Sequence, residues 1–261
     1  MSQLEELILS VCIDNRYEIF DGKYLDDNIR THMHHLHTFF FDILYEQVAI
    51  NAPWETSDTI RHAFKQRGYD VDCYIDDHPF YGSLCHIYSL PFQMDHMNSI
   101  SHNFPGGLFA NVRYLCVTDQ CHPFEHNFFA LISRSFPSLR RLSINNMHEQ
   151  KEKTSNQLVE SEQRSSIIEF SHLVVLMCAG IHNDYLEEFL CSSNTRLPCL
   201  SKLFVWYDQL ATVTRNFTRN ATRVNCAQLK RVILLGDNDQ LGLMTMVHSK
   251  DYYVYFPLLY K

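Results

Sequence analysis

The chain has 261 residues, 46% of them hydrophobic and 13% aromatic, with Gly 8 and Pro 8; that composition excludes a disordered chain and leaves little material for flexible linkers. Asp and Glu number 30 against 22 Lys and Arg, for a formal net charge of −8, and no Lys/Arg cluster stands out along the sequence. A nucleic-acid partner is therefore not expected, because phosphate neutralisation needs clustered positive charge. Nor is a membrane partner: the longest apolar run, Leu173 to Ile181, is less than half of the roughly 20 residues a spanning helix requires.

The nine cysteines show no CxxC spacing, and several sit inside apolar runs, where Cys behaves as a small hydrophobe. Buried thiols suit a reducing compartment. The first residues carry neither a basic n-region nor an apolar h-region, so a cytoplasmic or nuclear location is expected. Two glycosylation sequons, Asn216-Phe-Thr218 and Asn220-Ala-Thr222, point the other way but arise often by chance.

Taken in order, the chain repeats one spacing: an apolar anchor, an aliphatic residue three later, a second apolar residue three after that, and a third two further on. Phe136, Leu139, Leu142 and Ile144 form the clearest copy. Aligned on the second of these positions, the copies fall at Leu4, Leu36, Leu84, Val112, Leu139, Leu173, Leu200 and Leu229, with a ninth cut off after Leu259. Each copy predicts a short strand, since its last two apolar residues alternate with others as in Leu115-Cys-Val117. Between copies the pattern changes to helical: Leu25, Ile29 and Met33; Phe124, Phe128 and Leu131 within Pro123–Ser133; Leu186, Phe189 and Leu190 after a capping-box-like Asp184 and Glu187; Leu210, Val213 and Phe217.

Two intervals are long. Residues 57–83 read as an inserted helix, Ser57–Arg67 with Gly68 as its C-terminal cap, plus an extra strand around Val71–Ile75 that pairs with Leu84–Leu90 across an Asp/His/Pro/Gly turn. Another stretch, 149–166, is rich in Lys, Glu, Gln and Ser and reads as a mobile polar loop. The ends lack polar caps, so either a slice of a longer array or a short one that closes its ends some other way is expected.

A strand and a helix recurring about every 30 residues cannot bury their apolar faces alone, but stacked copies can. The L-x-x-L-x-L spacing resembles the leucine-rich-repeat superfamily, and the Phe-Pro-x-Leu opening is similar to the repeat region of F-box-like proteins. The resemblance implies an α/β fold, an irregular solenoid of about eight units over residues 1–261, curved as a horseshoe with parallel strands on the concave face and helices on the convex one. It also implies a protein-binding role, extending to substrate recognition for a ubiquitin ligase, although no F-box is visible. Where the family places a turn Asn or Cys, three residues after the third apolar position, only Cys12 conforms; Met147 stands there in the central copy. A degenerate ladder is expected.

In such a scaffold the residues flanking the last two apolar positions form the concave surface. Phe40, Tyr88, Tyr114, Arg141, Asn145, Met177, Lys202, Phe204, Trp206 and Arg231 are accordingly the candidate partner contacts, with Trp206, Phe204 and Tyr88 as anchors, because aromatic residues and Arg dominate interface energetics. The expected function is a non-catalytic interaction scaffold without cofactor. Its rival is a metal protein or hydrolase using His32, His34, His35 and His37, or Asp70, Asp72, Asp76, Asp77 and His78. Neither cluster has ligand spacing of a known metal loop. Cys121-His122 is no nucleophile and base by adjacency alone, and P-loop, HExxH, GxSxG and GxGxxG motifs are absent.

Overall fold

A computed structural model describes residues 3–14, 22–47, 56–78, 82–151, 166–235 and 255–256. They form a mixed α/β structure in two compact units, Met1–Met94 with Asn103–Pro105, and Asp95–His102 with Gly106–Lys261. Most of the polar stretch 149–166 lies outside the described residues. At its start Gln150 is buried, and its side-chain amide donates to the Phe124 carbonyl.

The first unit contains β1 (Glu6–Asp14), α1 (Gly22–Asn28), β2 (Thr38–Gln47), α2 (Ser57–Gln66), β3 (Val71–His78) and β4 (Gly82–Ser89). The sheet order is β1-β2-β4-β3. Strands β1 and β2 run parallel, with Ile8 opposite Phe40 and Ser10 opposite Asp42, so the first two copies of the spacing stack in register. The third does not continue the series. Strand β4 is antiparallel to both β2 and β3, because only residues 79–81 separate β3 from β4, whereas a parallel connection needs a crossover of about a dozen residues or more.

Helix α2 begins at Thr56, whose hydroxyl accepts from the Thr59 amide, and it ends at Gly68, which has φ of 82°; a left-handed residue at that place favours glycine. Ile60 and Phe64 on its buried face join Phe41, Ile43, Tyr69 and Ile87 in one core. Arg61 ties the helix to β3 through Asp72 at 2.7 Å.

The second unit contains β5 (His96–Ile100), β6 (Tyr114–Thr118), α3 (His126–Ser135), β7 (Arg141–Asn146), β8 (Ile168–Glu169), β9 (Val175–Ile181), α4 (Asn183–Leu190), β10 (Thr195–Arg196), β11 (Lys202–Trp206), α5 (Tyr207–Val213), α6 (Asn220–Cys226) and β12 (Arg231–Leu235). Six strands form a parallel sheet in the order β12-β11-β9-β7-β6-β5, and β8 pairs with β10 in a small separate ladder. The repeat spacing sets the sheet's register. Leu115 lies opposite Leu142, Leu142 opposite Leu176, and Leu176 opposite Leu203; Val117, Ile144, Cys178 and Val205 form the next buried row.

Burying a Leu or Val side chain contributes about 1.5–3 kcal/mol, and these rows run across neighbouring strands, so their pairing register is strongly specified. The crossover helices cover them with aromatic side chains. Phe129 of α3 meets Phe189 of α4 edge-on at 4.9 Å, and Phe189 meets Phe170 at 5.6 Å. Among the described residues no helix is long and apolar enough to cross a membrane.

Candidate partner-binding face

Because side chains alternate along a strand, the residues between the buried rows of the six-stranded sheet share its other face. Backbone pairing aligns them in three rows. Tyr114, Arg141, Val175, Lys202 and Arg231 form the first; Cys116, Ser143, Met177, Phe204 and Ile233 the second; the third holds Thr118 opposite Asn145 and Trp206 opposite Leu235. Neighbouring strands lie about 4.8 Å apart, so the first two rows are short continuous tracks, whereas the third is interrupted at β9, where the register shifts.

The tracks differ in chemistry. Arg141 stacks over Tyr114, its guanidinium carbon 5.8 Å from the ring centroid, and Lys202 and Arg231 are exposed in the same row. One residue earlier on each strand, hydrogen bonds run from Arg140 to the Arg113 carbonyl, from Val174 to that of Arg140, from Ser201 to that of Val174, and from Lys230 to that of Ser201. Six basic residues thus gather at the N-terminal edge of the sheet: Arg113, Arg140, Arg141, Lys202, Lys230 and Arg231. None forms an ion pair among the described residues. In the second and third rows Met177, Phe204, Ile233, Trp206 and Leu235 are half-buried, and no Asp or Glu occupies any of the three rows.

Of the ten residues that the sequence nominates, eight lie on this face: Tyr114, Arg141, Asn145, Met177, Lys202, Phe204, Trp206 and Arg231. The other two are in the first unit. Phe40 is half-buried on β2. Tyr88 needs correcting as a contact: it is fully buried, its ring 5.4 Å from His86 and 6.0 Å from Phe92, and its hydroxyl is 3.5 Å from Asp72. The reason is the reversal of β4, which puts Tyr88 beside the buried chain of Asp42, His86 and Tyr74, where His86 Nε2 is 2.6 Å from Asp42 and Nδ1 is 2.8 Å from the Tyr74 hydroxyl. Burial pushes the Tyr88 phenol well above its ordinary pKa.

The two clusters nominated for metal are not brought together among the described residues. His34, His35 and His37 are exposed, and His32 meets the Thr31 hydroxyl at 3.0 Å. Asp72 is engaged by Arg61, and the side chains of Asp77 and His78 lie outside the described set. A different group does converge. His102, Asp119 and His122 place one ligand atom each within 4.8 Å of one another. Burial opposes charge on Asp119, but the backbone N–H groups of Cys121 and His122, together with the imidazole of His102, hold its carboxyl below the usual carboxylate range. Sequence reasoning missed this group because His102 and Asp119 belong to different repeat copies; the available signal was an acidic residue two places after the third apolar position, Val117.

No family model matches the chain, and no curated protein or solved structure matches it.

Proposed function

We propose that the chain is a non-catalytic protein-interaction scaffold, built as a degenerate leucine-rich-repeat-like solenoid, and that the open face of β6, β7, β9, β11 and β12 receives an extended, acidic segment of a partner protein. The observation that carries this reading is the composition of one sheet face. A row of Arg141, Lys202 and Arg231 that contains no Asp or Glu, the exposed Asp95 lying beyond its β6 end, runs beside a track of Met177, Phe204, Ile233 and Trp206, in a chain whose net charge is −8. Aromatic and Arg side chains supply most interface energy. Complementary charge raises the encounter rate and fixes register. A role in substrate recognition for a ubiquitin ligase is an extension that stands on the resemblance to F-box-like repeat proteins alone.

A photo-crosslinking residue placed at Phe204 tests the proposal against one placed at Val224, which is 62% exposed on α6. Adducts should form from position 204 and not from 224, should fade as salt rises from about 0.05 to 0.5 M, and should be lost with Lys202→Glu and Arg231→Glu. Equal adducts at both positions, or none at 204, would sink the reading.

A further inference from the structure

Past the C-terminal end of β6 the chain turns tightly around one carboxylate. Asp119 Oδ1 accepts from the backbone N–H of Cys121 at 2.8 Å and of His122 at 2.7 Å. Its other oxygen, Oδ2, accepts from the backbone N–H of His102 at 3.3 Å and lies 2.5 Å from His102 Nδ1. The turn therefore fixes the carboxylate from three backbone donors, and its position does not depend on either imidazole.

The second histidine has no such bond. His122 Nδ1 is 3.8 Å from Oδ1, beyond hydrogen-bond distance, yet its ring lies against that of His102 with centroids 4.0 Å apart and planes 35° from parallel. Two imidazoles packed together beside one fixed carboxylate bring three potential ligand atoms within 4.8 Å of one another. A dication among them would be coordinated by a nitrogen of each ring, and the carboxylate would compensate its charge.

We propose that His102, Asp119 and His122 form a binding site for a divalent transition metal ion, clasping the segment after β5 to the turn after β6. The donor set of two nitrogens and one carboxylate oxygen suits Zn²⁺, Co²⁺ or Fe²⁺ rather than Ca²⁺ or Mg²⁺, which prefer oxygen ligands. Metal–ligand bonds of about 2.0–2.2 Å put the ligand atoms of a tetrahedral site roughly 3.4 Å apart, so atoms already within 4.8 Å of one another need move only by about an ångström. His122 is exposed and His102 and Asp119 are half-buried, which leaves a route for the ion and a fourth position for water. The site is independent of the partner-binding reading.

The test uses the full chain, stripped with EDTA and titrated with Co²⁺ alone. A visible d–d absorption saturating at one ion per chain and displaced by Zn²⁺ is expected. His102→Gln and His122→Gln should each weaken binding by at least the roughly 10–100-fold that loss of a supporting residue costs at metal sites. His122 is exposed, so its variant should keep the wild-type circular dichroism spectrum. Absence of saturable absorption in the wild type overturns the proposal; so does stoichiometric binding that survives the double variant, which would assign the ion to other histidines.

Discussion

Tyr69 shows how one side chain couples charge to stability. It sits among Phe39, Phe41 and Phe64, with the Arg30 guanidinium 5.6 Å from its ring centroid and its hydroxyl donating to Asp26 at 2.8 Å. Burial, then the bond to Asp26, pushes the phenol from 10.0 up to about 12. Between those values the unfolded chain binds fewer protons than the native one, so stability is intact below about pH 10 and falls as pH rises towards 12. The stability difference between wild type and Tyr69→Phe, measured by urea denaturation, should therefore shrink across that window; a difference independent of pH would refute the assignment. The same bond was invisible in the sequence, because Asp26 and Tyr69 are joined only by the packing of α1 against α2. Turn residues were partly legible. The position three residues after Ile144 holds Met147, which is 68% exposed, but the turn is stabilised one residue earlier by buried Asn146, which donates to the His122 carbonyl at 2.7 Å and accepts from the His148 amide at 2.9 Å.

Strands were the most legible elements and their directions the least. A period of two marks which residues face the core but is the same in parallel and antiparallel ladders, which is why the spacing placed Leu115, Leu142, Leu176 and Leu203 in one row and yet implied a third copy running with the first two. Helix α4 was found through Leu186, Phe189 and Leu190, whereas its N-terminal cap is His182, whose ring nitrogen accepts from the Asp184 amide at 3.4 Å. Histidine is not a residue whose sequence context announces a cap. The two faces of the parallel sheet give a direct contrast. Leu142→Ala, at a fully buried position on a central strand, should cost about 2–5 kcal/mol. Trp206→Ala on the open face should cost well under that range while still reducing partner crosslinking. Thermal and urea unfolding of the two variants separates them, and a Trp206→Ala loss as large as that of Leu142→Ala would make Trp206 a core residue.

Over the whole molecule, stacking creates what the linear sequence conceals. Arg113, Arg140 and Lys230 are scattered through a net acidic chain, and only the register of five strands, β6, β7, β9, β11 and β12, gathers them at one edge. The division into two units has the same origin. One core joins Phe41, Phe64 and Ile87, while the other is built from the Leu115 to Leu203 row and its aromatic cover, and each sheet is closed within its own unit. Cooperative opening follows contiguous packed structure, so a lesion in one core should act first on that core. Hydrogen exchange read by mass spectrometry on the Leu142→Ala variant should show faster exchange in β6, β7 and β9 and unchanged protection in β3 and β4. Parallel acceleration of both sets would mean that the two sheets unfold as a single cooperative body, and the separation of the cores would then have no energetic meaning.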